Sequence, residues 1–218
     1  MDLAPDLIAG TALRDRFASL IQRLGGSRDP AAAGDALVAA WAAPGRTYHS
    51  TSHLIDCLER LDELESEIGH RAAIEAALWF HDAVYDPQAD DSESRSAAWA
   101  ERVLGRLGVA RSGACEIGRL IRLTRHVVPP GDPSGMAVCD IDLSILGRGP
   151  AEFDAYDAAI RAEYAWLNEQ SFREGRRRLL SAILSRQPIY QLVELRARYE
   201  DAARANLRRA LDRLDASK

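Results

Sequence analysis

The sequence predicts an all-α protein folded as one domain, a single-domain helical bundle. Three observations carry that prediction. Apolar residues recur at three- and four-residue spacings in nearly every stretch between punctuating glycines and prolines, and no alternating apolar and polar segment rivals them. With 218 residues, 47% of them hydrophobic, the chain is long enough for one good-sized core. No repeat of fixed period and no low-complexity segment divides it.

Taken in order, Leu13, Phe17, Leu20, Ile21 and Leu24 share one helical face, and Gly25-Gly26 ends that helix. Asp29-Pro30 supplies an N-cap and a first-turn proline for a short alanine-rich helix that Pro44-Gly45 stops. A third helix is predicted to open near Thr47 and to carry Leu54, Leu58, Leu61 and Leu64. Gly69 separates it from a fourth, which contains His81 and Asp82. The acidic turn from Asp86 to Asp91 leads into a fifth helix with Ala97, Ala100, Val103, Leu104 and Leu107, closed by Gly108. Ile117, Leu120 and Ile121 mark a sixth that runs up to His126. Val127 to Gly135 holds three prolines and two glycines, so it reads as a loop, an internal boundary or the rim of a site. Val138 to Leu146 resumes as a short helix. Three long patterned helices follow, from Phe153 to Leu167, from Phe172 to Leu184 and from Leu192 to Leu214.

The formal net charge of −5 argues against a protein built to hold nucleic acid. Cys57, Cys115 and Cys139 are odd in number and lack metal-type spacing, so they read as reduced core thiols in a cytoplasmic protein. No basic segment precedes an apolar one at the N-terminus, as a signal peptide would require, and no apolar run reaches membrane-spanning length. Trp41, Trp79, Trp99 and Trp166 are expected to fill the core, and Arg173, Arg176, Arg177 and Arg178 to form a solvated helix face. The arginine-rich last helix is expected to pack on the core, with a homodimer seam as the alternative.

Against that background the polar residues at helix ends stand out. His81 and Asp82 close the apolar run Ala76-Ala77-Leu78-Trp79-Phe80, where two adjacent ionisable groups are costly to bury without a partner. A metal ion suits both, because imidazole and carboxylate are ordinary ligands for transition metals. His49 and His53 are four apart and share one face of the predicted third helix, either as two ligands, as a ligand and a proton donor, or as hydrogen-bonded surface histidines. Four of the five histidines, at 49, 53, 81 and 126, fall near predicted helix ends, and His70 reads as a loop residue. Asp142 stands within the otherwise apolar segment Cys139 to Ser144, and Asp140 reads as an N-cap.

His53, then His81-Asp82, then Asp142 resembles the ordered H…HD…D signature of the HD-domain superfamily of metal-dependent phosphohydrolases. The chain is similar along nearly its whole length to a bacterial subgroup described as predicted HD-superfamily hydrolases. Arg46-Thr47-Tyr48-His49 through His53-Leu54 and Trp79 through Pro87 carry the first two blocks. Asp91-Ser92-Glu93 through Ala97, Asp140 through Leu143, Ile160 through Tyr164, Ile189-Tyr190 and Glu200 through Leu207 continue them. The resemblance implies a helical HD-domain bundle over residues 1–218, with a metal-site core at roughly 46–146 and C-terminal helices at 150–216 packed on it. It implies His53, His81, Asp82 and Asp142 as ligands of a divalent ion, and His49 as the general acid that protonates a leaving oxygen. Ser50 and Ser92 stand where the pattern has asparagine, which bears on hydrogen bonds around the ligands and not on the ligands themselves.

The expected chemistry is hydrolysis of a phosphate ester or anhydride of a nucleotide or another small phosphorylated metabolite, with Asp82 both ligand and catalytic. Four protein ligands leave positions for water and substrate. The ligand set suits manganese, iron, nickel, cobalt, zinc or magnesium, one ion or two per site. Arg46 is the preferred phosphate contact because a guanidinium binds two oxygens at once, with Arg125 and His126 beside it. His126 alternatively binds a second metal or closes its helix, and Arg161 is expected to pair with a carboxylate. Asp86 and Glu93 either hold a second ion or belong to a solvated, helix-capping turn. Other readings are a di-iron oxygenase of the same fold, a non-catalytic metal-containing nucleotide sensor or interaction module, and a purely structural helical protein.

Overall fold

The computed structural model describes residues 5–65 and 68–216, with side chains from Gly10 onward. Among these residues it holds ten α-helices and no strand. They are α1 (Pro5–Arg23), α2 (Ala31–Trp41), α3 (Thr51–Glu63), α4 (Arg71–Phe80), α5 (Ser92–Arg106), α6 (Arg111–Leu123), α7 (Pro133–Asp142), α8 (Pro150–Glu163), α9 (Glu169–Leu184) and α10 (Val193–Ala216). A 3₁₀ turn, Leu143–Gly147, extends α7. No described helix is long and apolar enough to cross a membrane.

The bundle is laid around α4, whose residues from Ala73 to Phe80 are all buried. A helix apolar on every side has to be surrounded, and α1, α3, α5, α6 and α7 all pack on it. Its one buried charge, Glu75, accepts from Arg16 Nε at 2.9 Å and from Arg23 Nη2 at 2.7 Å, both on α1. At its far end the indole of Trp41 donates to the carbonyl of Trp79 at 2.9 Å, fixing the point where His81 and Asp82 leave the helix.

The C-terminal helices grip the 3₁₀ turn. Asn206 donates to the carbonyls of Leu146 and Arg148, each at 2.9 Å, and the Tyr190 hydroxyl donates to the Leu143 carbonyl at 2.9 Å. A Cβ at Gly147 would collide with the side chain and backbone of Tyr199 on α10, so only glycine lets the two approach so closely. The segment that carries Asp142 is thereby pinned.

Several local expectations give way to tertiary contacts. The third helix opens at Thr51 and not near Thr47, because the backbone N–H groups of Thr47, Tyr48 and His49 all donate to Glu163 Oε1, at 2.8, 2.8 and 2.9 Å. The seventh begins at Pro133, where Asp132 caps it by accepting from Gly135 N, so the proline-rich loop is shorter than Val127 to Gly135. Asp140 is no cap: it is buried inside α7 and accepts from the Leu192 N–H at 2.7 Å. The eighth helix stops at Glu163. Trp41 and Trp79 are fully buried, whereas Trp166 is half exposed, and Cys115 is exposed. The arginine run is a solvated face only in part: Arg178 is exposed and Arg177 partly so. Arg176 is buried against Asp157 and the ring of Tyr156, while Arg173 and Arg177 reach the Leu214 carbonyl, satisfying the last turn of α10. Arg161 does pair with a carboxylate, Glu169, at 3.2 Å.

Candidate metal centre

Three separate pieces of chain meet at the end of α4. His53 comes from the first turns of α3, His81 and Asp82 follow α4, and Asp142 ends α7. His53 Nε2 lies 3.2 Å from His81 Nε2 and 3.2 Å from Asp142 Oδ1. His81 Nε2 is 3.2 Å from Asp82 Oδ2 and 3.5 Å from Asp142 Oδ1. Donor atoms around an ion bound at roughly 2.0–2.1 Å in tetrahedral geometry stand about 3.3 Å apart, the spacing that His53, His81 and Asp142 keep among themselves and that Asp82 keeps to His81.

The protonation balance points the same way. Burial alone would lower the His81 pKa, but Asp82 and Asp142 raise it well above the usual imidazole range. Burial would raise Asp82, yet His81 and His49 bring it down to about 2. Asp142 is likewise pushed up by burial and then held well below the carboxylate range by hydrogen bonds with His126, His53 and His81. Two largely enclosed carboxylates demand positive charge here, and a cation supplies it as well as a proton does.

Supporting contacts aim the donors. His81 Nδ1 sits 2.8 Å from the Leu78 carbonyl and must donate to it, which leaves Nε2 facing the carboxylates. The Trp41 ring walls the site behind His53 and His81. Ser96 Oγ accepts from Val84 N at 3.0 Å and donates to the Val84 carbonyl, and Ser92 Oγ accepts from Asp86 N. The two serines hold the turn that follows Asp82.

His49 is not on the face of α3 that carries His53. It stands on the preceding turn, with its ring stacked on Tyr85 and edge-on to Tyr48. Its Nδ1 is 2.6 Å from Glu163 Oε2, and its Nε2 points toward Asp82 Oδ2 at 3.9 Å. Burial opposes ionisation of Glu163, but hydrogen bonds from His49, the Tyr48 N–H and the Tyr85 hydroxyl lower it to about 2. An ionised Glu163 makes Nδ1 the donor and turns Nε2 to the site.

Arg46, expected to grip phosphate, is turned to another task. Its Nη1 donates to the carbonyls of His49 and Asp82 at 3.0 and 2.6 Å, and its Nη2 to that of Ala83 at 3.0 Å. Its guanidinium lies between the rings of Trp41 and Tyr85. Three donors spent on carbonyls make it a brace between the two histidine-bearing segments. Arg125, by contrast, is exposed and lines the cavity in front of the centre, as do Asp86 and Glu93. Asp86 Oδ1 accepts from Gln88 N in its own turn. His126 closes α6 at a left-handed φ of 57° and places Nε2 2.8 Å from Asp142 Oδ2.

Sequence reasoning read Cys57 as a core thiol and met Glu163 only inside the Ile160 through Tyr164 block, giving neither a part in the site. Cys57 lies one helical turn beyond His53, a spacing that puts both on one face of α3, and its buried Sγ is 3.7 Å from His53 Nε2. His53, Cys57, His81 and Asp142 form a buried group that could hold a metal ion, with ligand atoms all within 4.8 Å of one another. Glu163 has no local signal, since its partners lie more than a hundred residues away. The chain matches no family model, no curated protein and no solved structure.

Two predictions follow from this geometry. His126→Gly relieves a left-handed backbone that costs a side-chain-bearing residue about 1–2 kcal/mol, but frees Asp142. Metal titration should show affinity falling by roughly 10–100-fold while urea unfolding shifts by no more than about 1 kcal/mol. A large loss of stability with unchanged metal affinity would contradict the role given to His126. For Glu163, a folded pKa of about 2 lies below the unfolded value near 4.3, so its contribution is full above pH ~4.3 and lost as pH falls toward 2. That contribution is on the order of 3 kcal/mol, and acid titration of stability should show a shallower acid limb in Glu163→Gln than in the wild type.

Proposed function

We propose that this chain is a metal-dependent phosphohydrolase of the HD superfamily, acting on a phosphate ester or anhydride of a small metabolite. The observation that carries the reading is the meeting of His53, His81 and Asp142 at ligand-edge spacing, with Asp82 3.2 Å from His81 and facing His49 Nε2 at 3.9 Å. The residues that meet are those quoted for the H…HD…D resemblance. Manganese, iron, cobalt, nickel, zinc and magnesium all suit a histidine and carboxylate set, with the softer ions favoured if Cys57 joins it.

When bound, such an ion supplies Lewis acidity, making water a nucleophile near neutral pH and offsetting charge on phosphoryl oxygens. The rest falls to the chain. Asp82 and Asp142 orient the site and supply its negative charge. His49 delivers a proton from Nε2 to the departing oxygen, its Nδ1–H held by Glu163 as the ring gains and loses charge. Arg125 at the rim draws the phosphate in, and the Tyr85 and Tyr48 rings hold the His49 plane.

A second reading rests on one observation. The buried set of His53, Cys57, His81 and Asp142 is complete without Asp82, and four closed ligands describe a structural ion. Metal-free protein reloaded separately with each of the six ions, then assayed for bound metal and for hydrolysis of a phosphate-ester panel, separates the two. The hydrolase reading predicts that Asp82→Ala loses turnover and at least tenfold in metal affinity. His49→Gln keeps its metal and loses roughly 10²–10⁴-fold in kcat, and Cys57→Ser retains both. Loss of metal in Cys57→Ser, with Asp82→Ala fully loaded and no ester turned over by the wild type, would establish the structural reading instead.

A further inference from the structure

The cavity that opens on the candidate centre is two-sided. Its volume is about 500 Å³, within the range of small-molecule sites. One side is polar: His49, Asp82, Glu93, Arg125, His126 and Asp142. The other is built by the 3₁₀ turn, α8 and α9, and its side chains include Leu143, Leu146, Ile160, Phe172, Leu179 and Ile183. No asparagine, glutamine, serine or threonine lines this second side. Its polar groups are few: Arg176, whose Nη2 is buried without an aligned hydrogen bond, and the hydroxyls of Tyr156 and Tyr164. Arg176 is buried on Asp157, at 3.1 Å from Nε and 2.9 Å from Nη2, and lies over the Tyr156 ring. Tyr164 is drawn to Tyr85, whose hydroxyl donates to Glu163.

A nucleobase is read through hydrogen bonds to its edge, and a buried base with no partners for those groups is penalised. Arg176 and two tyrosine hydroxyls are all the polar side-chain groups this wall could read with. It offers apolar surface, continuous with the groups that would handle a phosphate. We propose that the substrate is a phosphate monoester of an apolar alcohol, its alkyl or aryl group lying on the wall of α8, α9 and the 3₁₀ turn and its phosphate at the metal side. This rests on the hydrolase reading for the chemistry, though not for the binding. In the reaction the oxygen of water bonds to phosphorus and the ester P–O bond breaks. The departing oxygen takes the His49 Nε2 proton, and the water's proton restores the histidine, giving the alcohol and inorganic phosphate.

The test uses metal-loaded protein and two matched series. One is methyl, butyl, hexyl and octyl phosphate with adenosine monophosphate as comparator, read as kcat/KM. The other is the n-alkylphosphonates of the same lengths, which cannot be hydrolysed, read as affinity by calorimetry. Both should rise by about three- to fourfold per methylene until the wall is covered, as burial of a CH₂ predicts, and octyl phosphate should exceed the nucleotide. Leu179 is half exposed at the cavity, so Leu179→Asp should fold normally and flatten the slope for the longer chains. Equal values for methyl and octyl compounds, or a nucleotide preferred tenfold, would overturn the proposal while leaving the hydrolase reading intact. Phosphonate affinity that climbs with chain length while no ester is turned over would support the apolar site and sink the hydrolase reading. Neither turnover nor a chain-length dependence would remove both.

Discussion

The structure turns on one electrostatic constraint: two imidazoles and two carboxylates crowd together at the end of a helix that is buried on all sides, with His81 Nε2 3.2–3.5 Å from His53, Asp82 and Asp142. Such a set is unstable without a shared positive charge. A proton on His81 meets that need in part, and a divalent cation meets it with better geometry. The rest of the fold serves to make the crowding tolerable. Trp41 fixes the end of α4, Asn206 and Tyr190 fix the turn after Asp142, and His126 adopts a left-handed backbone to reach the same carboxylate.

Around that centre the long charged side chains work as fasteners between segments distant in sequence. Arg46 ties His49 to the carbonyls after His81, and Glu163 gathers three consecutive N–H groups and the His49 ring. Hydrogen bonds to an ionised partner are stronger than neutral ones, so these two residues hold a turn that has no helical ladder of its own. The result is a histidine on a rigid turn, aimed by a carboxylate, beside a candidate metal site and at the mouth of a cavity. The opposite wall of that cavity comes from α8 and α9, so the centre and the surface facing it sit on different parts of the bundle.

Much of this was legible because it is local. Periodic apolar residues and punctuating glycines gave the helices, and a histidine next to an aspartate at the end of an apolar run is conspicuous in any sequence. The isolation of Asp142 in an apolar segment marked it in the same way. What escaped depends on partners far along the chain. Thr47 to His49 look like a helix start until Glu163, more than a hundred residues away, takes their amides. Arg46 looks like a phosphate ligand until the carbonyls it bridges are in view, and Arg176 looks solvated until Asp157 and Tyr156 close over it. Cys57 was recoverable from its four-residue spacing to His53; nothing local marks Glu163.

The most direct measurement is anomalous diffraction from crystals of zinc- or cobalt-loaded protein, collected at the absorption edge of the ion. The account predicts one strong peak at roughly 2.0–2.2 Å from His53 Nε2, His81 Nε2 and a carboxylate oxygen of Asp142, with Asp82 completing the set on the side that faces His49. A fully loaded protein whose ion lies elsewhere, or a centre that stays protonated and empty at saturating metal, would contradict it.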